Sequence, residues 1–323
     1  MRELFKQFNN LTILIIGDVM MDSYLWGNVE RISPEAPVPI ISVRKKENRL
    51  GGAANVALNI QALGATPIIC TVIGDDKEGD DFLDVLEQQQ LSAKGIVKLN
   101  SRPTTVKTRV IGHNQQMIRI DAEVDDEISQ TDSETLFSVI TEIVNNQQVD
   151  AIVFEDYDKG VISEYLIQNV VALAKTRKLI TVVDPKKRNF LKYKGVSLFK
   201  PNLKELREGL QVEIDSNQKE LESVVEELQN KLDAKMVMVT LSEQGVYMHS
   251  ENGRKIIPAH IRNIADVSGA GDTVIATTVT CLAAGLDEFT TASIANLAGG
   301  LVCEAIGVVP INKEKLLKES LSL

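Results

Sequence analysis

The chain has 323 residues, 44% of them hydrophobic and 4% aromatic, and a net charge of −10. This length suits one large α/β domain, or one domain with an appendage, around a sizeable core. The acidic balance argues against a nucleic-acid partner, since no basic stripe offsets repulsion from a phosphate backbone. A small anionic substrate stays compatible if local Lys and Arg side chains form a positive pocket.

The first predicted strand is the continuous apolar run at 11–17, which ends in a glycine. Such a run is typical of a strand buried on both faces of a parallel sheet. Asp18 and Asp22 follow at its carboxyl end, where open α/β sheets bind ligands. The sequence therefore predicts a ligand site at this edge of the sheet.

A small β-flap is predicted directly after this strand. Segments 23–28 and 38–44 have the aromatic and β-branched residues of short strands. The proline-rich segment between them suits neither a helix nor a central strand. Two strands at 104–112 and 115–121, joined by a turn at 113–114, predict a hairpin that returns to the flap.

The rest of the chain alternates between strands and helices, which favours right-handed crossovers and a largely parallel sheet. Strands are predicted at 67–73, 150–154, 179–183, 196–199, 236–240, 245–249 and 253–258, and helices at 51–64, 77–90, 132–146, 163–177, 202–210, 216–232, 270–284 and 287–305.

The stretch from Asp266 to Thr273 is a polar, glycine-interrupted turn that opens onto a nearly uncharged, hence buried, helix. Gly269 and Gly271 let the backbone approach a ligand, and the N–H groups and dipole at the helix start favour an anion. Asp272 would repel a phosphate, unless it accepts a proton from a hydroxyl group that attacks that phosphate. The alternative is that Asp272 only caps the helix.

A second glycine-rich helix start lies at Gly51-Gly52. One helix start can hold a sugar-like substrate and the other the phosphates of a nucleotide. The chain contains no Walker loop, Rossmann fingerprint or H-E-x-x-H motif. His113, His249 and His260 are scattered, which favours surface positions over a chemical role.

Cysteine usage and the N-terminus bear on the compartment. The three cysteines lie in apolar segments and predict buried thiols in a reducing environment. The N-terminus lacks a signal-peptide pattern, and no stretch of about 18 uncharged apolar residues predicts a membrane span. We expect a cytoplasmic protein that binds neither membranes nor nucleic acid. The cysteines are Cys70, Cys281 and Cys303.

Gly51-Gly52-Ala53-Ala54-Asn55 and Asp266-x-x-Gly269-Ala270-Gly271-Asp272-Thr273 together resemble the paired signatures of the ribokinase (PfkB) family of sugar kinases. They stand in the family's order and separation, and the resemblance covers nearly the whole chain. It implies a ribokinase-like three-layer α/β/α fold over 1–323 with a mainly parallel central sheet. Segments 19–50 and 104–121 would form a β lid on it.

A narrower resemblance is to the heptose 7-phosphate kinases of ADP-heptose synthesis. Those enzymes phosphorylate the anomeric hydroxyl of D-glycero-β-D-manno-heptose 7-phosphate, giving the 1,7-bisphosphate for the lipopolysaccharide core. Some carry a second, nucleotidyltransferase domain, and this sequence resembles the form without it. The residues that carry this resemblance lie at 17–22, 31–39, 114–119 and 156–160.

The family resemblance implies roles at the nucleotide side, with ATP as phosphate donor. Asp272 would be the base, and the backbone N–H groups of Gly269, Ala270 and Gly271 would hold the transferred phosphoryl group. Asn202 and Glu205 would organise Mg²⁺ and its waters, although Asn202 can also act only as a helix cap. The other implied contacts are Thr240, Ser242, Gly245 and Ser268 for the nucleotide, with a plain turn role as the alternative for Ser242, and Asp266 for a monovalent cation such as K⁺.

On the sugar side, five residues match family contacts to hydroxyl groups, with a salt bridge or turn as the alternative for Asp22. A distal phosphate requires cations, and we expect two or three of the basic residues near the site to contact it. The hydroxyl contacts are Asp18, Asp22, Gly51, Gly52 and Asn55, and the basic residues are Lys107, Arg109, Arg119, Lys159, Lys186 and Arg188.

Three positions depart from the family pattern: Ser268 replaces a common Thr, Ser23 an Arg, and Glu155 a small residue. The last two touch the substrate side, so a kinase for another sugar remains a second hypothesis. A non-catalytic sugar-binding regulator is the third, and the intact Asp272 argues against it. Exposed edges of the lid predict a homodimer that pairs through the lids.

Overall fold

The computed structural model describes residues 1–113, 115–214 and 218–322. Within these ranges the strands form one sheet of nine and one of four. The strands are β1 (Thr12–Gly17), β2 (Val19–Ile32), β3 (Pro39–Gly52), β4 (Thr66–Gly74), β5 (Ser92–Leu99), β6 (Val106–Gly112), β7 (Gln115–Ala122), β8 (Ala151–Glu155), β9 (Ile180–Asp184), β10 (Leu198–Phe199), β11 (Met236–Thr240), β12 (Val246–Ser250) and β13 (Gly253–Ile257). The helices are α1 (Arg2–Gln7), α2 (Ala53–Ala62), α3 (Lys77–Gln88), α4 (Gln130–Asn146), α5 (Glu164–Arg177), α6 (Leu203–Leu210), α7 (Gln218–Leu232), α8 (Ala270–Ala283), α9 (Glu288–Val302) and α10 (Lys313–Ser320).

The nine-stranded sheet has the order β13-β12-β11-β10-β9-β8-β1-β4-β5, and every neighbouring pair from β11 to β5 is parallel. In β1, Ile13 and Ile15 pack into the core on one face, and Leu14 and Ile16 into the core on the other. Each buried side chain of this kind contributes roughly 1.5–3 kcal/mol, so a strand covered on both faces requires a continuous apolar run. The predicted mainly parallel sheet is confirmed.

Helices cover both faces of this sheet. α2, α8 and α9 pack against the face that carries Ile13, while α4, α5 and α7 pack against the face that carries Leu14. The segment from Thr273 to Leu282 in α8 is buried at every position, as its lack of charge predicts. The three layers of the α/β/α arrangement are therefore confirmed.

The four-stranded sheet has the order β3-β2-β6-β7 and contains the predicted hairpin β6–β7. Its first two strands run over 19–32 and 39–52, well beyond the predicted 23–28 and 38–44. They pair along almost their whole length, so Gly52 lies opposite Val19. Their extra length comes from this pairing, which the charged residues at 44–49 do not signal locally. We call this four-stranded sheet the lid sheet.

Other sequence-based boundaries need correction at a few places. Strand β5 and the terminal helices α1 and α10 were missing from the predicted set. Strand β5 alternates only weakly in burial because it lies at the sheet edge, and the terminal helices are short. The first two residues of the predicted helix 216–232, and Asn114 in the predicted turn and motif, lie outside the described residues.

The carboxyl ends of the parallel strands place polar side chains together. Asp18 follows β1, Glu155 and Asp184 end the neighbouring strands β8 and β9, and Lys200 follows β10. All four are buried, beside the N-terminal turns of α2 and α8. This edge is where an open α/β sheet binds ligands. Across the described part of the chain, no helix has the length and apolar character to span a membrane.

Candidate active site

Asp272 lies in the first turn of α8. Its side chain is buried, and its oxygens accept hydrogen bonds from Asn55 Nδ2 at 2.6 Å and from the Tyr157 hydroxyl at 2.8 Å. Gly269 is the residue that caps the helix, with left-handed backbone geometry. The interpretation of Asp272 as a helix cap is therefore wrong, because its carboxylate is held by α2 and by the loop after β8.

Burial raises the pKa of Asp272 to about 6. Repulsion from Asp184 adds to the rise, while hydrogen bonds from Asn55 and Tyr157 and the charge of Lys200 oppose it. A carboxylate with a pKa near the working pH can take a proton and release it again. Since Asp272 lines an open cleft, a bound ligand can supply that proton.

Glycine suits the two positions at the start of α8, 269 and 271, for different physical reasons. A Cβ at Gly269, where φ is 76°, would come within 3.0 Å of Val308 and 3.1 Å of Asn55. A Cβ at Gly271 would meet only Asp184 Oδ2, at 4.0 Å. Packing therefore requires glycine at 269, whereas at 271 the missing side chain leaves the cleft open in front of the helix start. N–H groups of such a first turn have no partner within the helix and suit an anion.

A cleft of about 850 Å³ opens in front of α8. It brings most residues predicted for catalysis and nucleotide binding to one place, although they come from distant parts of the chain. Ser268 is the exception, since it is exposed on the turn before α8 and its N–H donates to Asp266. The predicted residues in the lining are Lys186, Asn202, Glu205, Thr240, Ser242, Gly245, Gly269, Ala270, Gly271 and Asp272.

Two lysines form ion pairs at the floor of this cleft. Lys200 and Asp184 form a buried pair with 2.8 Å between Nζ and Oδ2. Lys186 pairs with Glu205, and its Nζ lies 5.3 Å from the centre of the Tyr157 ring. Burial alone would lower the pKa of Lys186, but the neighbouring carboxylates hold it above its usual value. Lys186 was predicted for the distal phosphate of a sugar, yet it lies among the nucleotide candidates.

Asn202 and Glu205 form a reciprocal capping box at the start of α6, so the predicted cap role of Asn202 is confirmed. Their implied contact with Mg²⁺ stays a prediction. The donor set fits, since amide and carboxylate oxygens suit Mg²⁺, which keeps waters and binds phosphates. In the described residues no three His, Cys, Asp or Glu side chains are grouped to hold a metal.

The turn after β11 forms another wall of the cleft. Ser242 has a φ of 54° and Gly245 a φ of 98°. A Cβ at Gly245 would lie 2.0 Å from the carbonyl oxygen of Ile257, so the turn itself requires glycine there. Thr240 bridges to Asn202 at the end of β11. Nucleotide contacts from this turn stay a prediction.

Asp18 has a structural role that the sequence did not reveal. Its Oδ2 accepts the backbone N–H groups of Tyr157 at 2.8 Å and Lys159 at 3.1 Å, and its Oδ1 accepts that of Val161 at 3.0 Å. Burial raises its pKa, and these hydrogen bonds oppose the rise. Asp18 therefore fixes the loop at 157–161, and its contact with a sugar stays a prediction.

Asp22 forms the ion pair with Arg109 that was its alternative role. A Cβ on Gly51 would lie 2.6 Å from Asp22 Oδ2, and one on Gly52 would lie 2.4 Å from the carbonyl oxygen of Asp18. Both glycines are therefore required where β3 packs against β2. Asn55, at the start of α2, reaches Asp272 and so links the two glycine-rich helix starts.

The basic residues predicted for a distal phosphate are all paired with acids, and Lys186 is paired with Glu205 as described above. Lys107 lies 2.8 Å and Lys159 2.6 Å from the two carboxylate oxygens of Glu123. Asp121 holds Arg119 at 2.9 Å and Lys107 at 3.2 Å. Thus a strand of the lid sheet and the loop after β8 converge on one carboxylate. Arg188 contacts Asp125.

Asp266 was implied in a monovalent cation site. Its carboxylate accepts the backbone N–H groups of Ser268 and Gly307, both at 3.0 Å. The Ser268 hydrogen bonds are the main cause of its lowered pKa. Asp266 thus joins the turn before α8 to the segment after α9. A role in binding K⁺ stays a prediction.

Several side chains of this site were not singled out from the sequence. Tyr157, Asp184 and Lys200 all line the cleft beside Asp272. A signal for two of them was present, because Asp184 and Lys200 each directly follow a predicted strand of the parallel sheet. Tyr157 had no such signal. His260 is exposed, as its sequence position favoured, and it also lines the cleft.

The fold and the cleft define an α/β protein with a buried carboxylate at a helix start suited to anions. The family model described as "pfkB family carbohydrate kinase" matches residues 10–315. The chain therefore belongs to the pfkB family of carbohydrate kinases.

Named relatives point the same way. "Bifunctional protein HldE" of Helicobacter acinonychis is 38% identical over 304 residues, covering 94% of this chain and 65% of the relative. The protein of that name from Methylobacillus flagellatus is 39% identical over 307 residues, covering 95% and 62%. The chain thus spans less than two thirds of the length of these relatives.

Solved structures share the fold at low sequence identity. Phosphofructokinase-2 from Escherichia coli in complex with potassium has a TM-score of 0.77 at 16% identity, covering 97% of this chain and 98% of that one. Arabidopsis thaliana ribokinase complexed with ribose and ATP has a TM-score of 0.73 at 16% identity, covering 96% and 98%. The ribokinase-like fold is therefore confirmed.

Proposed function

We propose that this protein transfers the γ-phosphoryl group of ATP to a hydroxyl group of a sugar phosphate. The observation that carries this proposal is the placement of Asp272. It is a buried carboxylate with a pKa of about 6, held by Asn55 and Tyr157, at a helix start whose Gly271 leaves the cleft open.

The geometry of the site supports each step of this transfer. Asp272 takes the proton of the attacking hydroxyl as the new P–O bond forms and the bond to the leaving ADP oxygen breaks. The first turn of α8 holds the charge on the transferred group, and Lys186 and Lys200 add positive charge at the cleft floor. Asn202 and Glu205 would hold Mg²⁺ through its waters, and this ion would supply further charge neutralisation to the phosphates.

The sugar we propose is D-glycero-β-D-manno-heptose 7-phosphate, phosphorylated at its anomeric hydroxyl to the 1,7-bisphosphate for ADP-heptose synthesis. The relatives named HldE support this assignment. Convergence of Lys107 and Lys159 on Glu123 supports a second phosphate, since two ammonium groups in reach of one carboxylate can hold an anion. A kinase for another phosphosugar is the alternative.

Release of ADP from ATP by the purified protein, measured with and without heptose 7-phosphate, tests the proposal. We expect release that depends on the sugar phosphate, and loss of at least about 10³-fold in kcat for Asp272→Asn. Activity only with a different sugar would replace the substrate but keep the enzyme class. Unchanged turnover by a folded Asp272→Asn protein would remove the mechanism.

We also propose a homodimer that pairs through the lid sheets. Strand register places Val43, Ile118 and Ile120 on one face of the lid sheet, where they are 51%, 55% and 54% exposed. Such an apolar sheet face favours a partner, and a second copy supplies a matching one. Sedimentation equilibrium of the parent and of Ile118→Lys tests this. A parent protein that is monomeric at micromolar concentration would contradict it.

A further inference from the structure

Glu155 is a buried carboxyl group beside the candidate active site, and the mechanism above gives it no role. It ends β8, is 1% exposed, and replaces a small residue that the resemblance leads one to expect. Its Oε2 is buried with no hydrogen-bond partner among the described residues. Such an orphaned polar atom is costly, so its position beside the candidate active site calls for a physical account.

The strand register shows what Glu155 faces. It lies beside Asp184 in the parallel pair β8–β9, so both side chains lie on the face covered by α2 and α8. On its other side it is in register with Gly17, where a Cβ would come within 3.0 Å of Glu155 Cβ and 2.0 Å of its carbonyl oxygen. The glycine that ends β1 is therefore required by the close approach of the backbone and Cβ of Glu155.

The charges of the neighbouring groups determine the protonation state of Glu155. The two ammonium groups of the floor already have one carboxylate each, with Lys200 on Asp184 and Lys186 on Glu205. An ionised Glu155 would be a surplus buried anion, and a buried charge without a hydrogen-bonded partner is strongly destabilising. Burial, followed by repulsion from Asp184 and Asp272, raises the pKa of Glu155 well above its usual 4.5. The charged groups that act on it are Asp184, Asp272, Lys186 and Lys200.

We propose that Glu155 is a positioning residue of phosphoryl transfer, which keeps its proton at neutral pH and acts through its neighbours. A neutral Glu155 adds no negative charge to the floor of the cleft, where Lys186 and Lys200 are each paired with one carboxylate. A bound phosphate is therefore not repelled by an additional anion. A neutral Glu155 also adds no negative charge beside Asp272, the group that must take the sugar proton. This role deepens the proposed kinase function and rests on it.

The first test needs no substrate and compares Tm across pH for the parent and Glu155→Gln. In the folded protein Glu155 binds a proton that the unfolded chain loses above about pH 4.5, so the parent loses stability as pH rises above that value. Gln carries no such proton. We therefore expect Glu155→Gln to gain Tm relative to the parent progressively between pH 5 and alkaline pH.

Glu288→Gln is the matched control, because Glu288 is also a buried glutamate but is well partnered. It accepts hydrogen bonds from Ser250 at 2.6 Å and Asn252 at 2.8 Å, and the Ser250 bond is the main cause of its lowered pKa. Its lowered pKa adds stability that is complete above the unfolded value of about 4.5, so the Tm deficit of Glu288→Gln relative to the parent is expected to stay constant from pH 5 to alkaline pH. Over this range the Tm difference should therefore rise with pH for Glu155→Gln and stay level for Glu288→Gln.

The second test measures kcat against pH. Ionisation of Glu155 at alkaline pH would bring a second negative charge to the site, so parent kcat should fall there while that of Glu155→Gln should not. The ratio of variant to parent kcat is then expected to rise with pH. A Tm difference that is constant, or of the opposite sign, overturns the proposal whether or not the sugar is correctly assigned. A ratio of variant to parent kcat that does not change with pH would be compatible with a protonated Glu155, but it would overturn the proposed role of Glu155 in the reaction.

Discussion

The ion pair of Lys200 and Asp184 at the floor of the cleft differs from the cations on the lid side in burial and in how its charge is opposed. At the floor of the cleft, Lys200 is 3% exposed and its partner Asp184 7%. On the lid side, Lys107 and Lys159 are 15% and 19% exposed and share the 22% exposed Glu123. The Lys200–Asp184 pair is therefore a fixed arrangement in a medium of low dielectric constant, whereas water screens part of the charge on the lid and on Lys186, which is 30% exposed.

We expect this difference to separate residues that act in phosphoryl transfer from residues that recognise the substrate. Charges that stabilise a transition state act best when they are preorganised and shielded from water, as at the floor. Charges that recognise one end of a substrate can be partly exposed and can exchange one anion for another. We expect changes at the floor to alter kcat, and changes on the lid side to alter KM.

The largest loss of activity is expected from a change at the start of α8. Gly271→Val places a branched side chain where only open cleft and Asp184 Oδ2 lie. The protein should keep its fold, but the transferred phosphoryl group would lose its place, with a fall of about 10²–10³-fold in kcat/KM. A Tm within a few degrees of the parent is the control. Full activity in Gly271→Val would mean that phosphate does not approach α8 there.

A smaller loss is expected at Lys186. Lys186→Met keeps much of the side-chain volume but removes the charge between Glu205 and the Tyr157 ring. Loss of one positioned charge at a phosphoryl group should lower kcat about 10²-fold. If KM for the sugar rises instead while kcat is unchanged, Lys186 serves the distal phosphate, as the sequence had indicated.

On the lid side, Lys107→Ala and Lys159→Ala should each raise KM for the sugar phosphate about tenfold and change kcat little. Steady-state kinetics at two salt concentrations measure this, since partly exposed charges are screened by salt. Arg119→Ala is the matched control, because Arg119 is more exposed and pairs only with Asp121. Equal effects from all three variants would show that overall charge, and no specific subsite, matters.

Acidic pH should affect the base before it affects the lid. The pKa of Asp272 is raised to about 6, mainly by burial, and only the ionised form accepts a proton. We therefore expect kcat to fall about tenfold per pH unit below 6 and to be level just above it. A kcat that stays constant down to pH 5 would contradict Asp272 as the base.

The smallest effect concerns stability alone. Asn202→Ala removes one half of the capping box of α6 and should lower the free energy of unfolding by about 1 kcal/mol. Chemical denaturation measures this directly. If kcat falls more than about tenfold at a Mg²⁺ concentration that saturates the parent, and that loss is recovered by raising Mg²⁺ further, Asn202 also helps to hold the ion.

Features that depend on local pattern were predictable from the sequence. The apolar run at 11–17 predicted the buried strand β1, and the uncharged run at 270–284 predicted the buried helix α8. The glycines at 269 and 271 indicated where that helix begins. The role of Asp18 was not predictable, because it accepts N–H groups from a loop about 140 residues away along the chain. Whether Asp272 is a cap or a base also depended on Asn55 and Tyr157, which only the fold brings to it.

The same limit applies to the cations. A list of basic residues near the site cannot tell Lys186 from Lys159, since both follow strands of the sheet. Their acidic partners separate them, as Glu205 belongs to α6 and Glu123 to the segment after β7. Pairing of this kind is a property of the tertiary structure, and no sequence spacing encodes it.

The loop at 157–161, which Asp18 holds, also fixes the distance between the two ends of the proposed substrate site. Tyr157 and Lys159 lie two residues apart on this loop. The Tyr157 hydroxyl donates to Asp272, where the hydroxyl group of the sugar would react, and Lys159 donates to Glu123, where the far end of the sugar would be held. Three hydrogen bonds to one carboxylate thus keep the two ends of the substrate site at a constant span. Under the proposed function, this span would let the protein distinguish phosphosugars by the number of carbons between the reacting hydroxyl and the terminal phosphate.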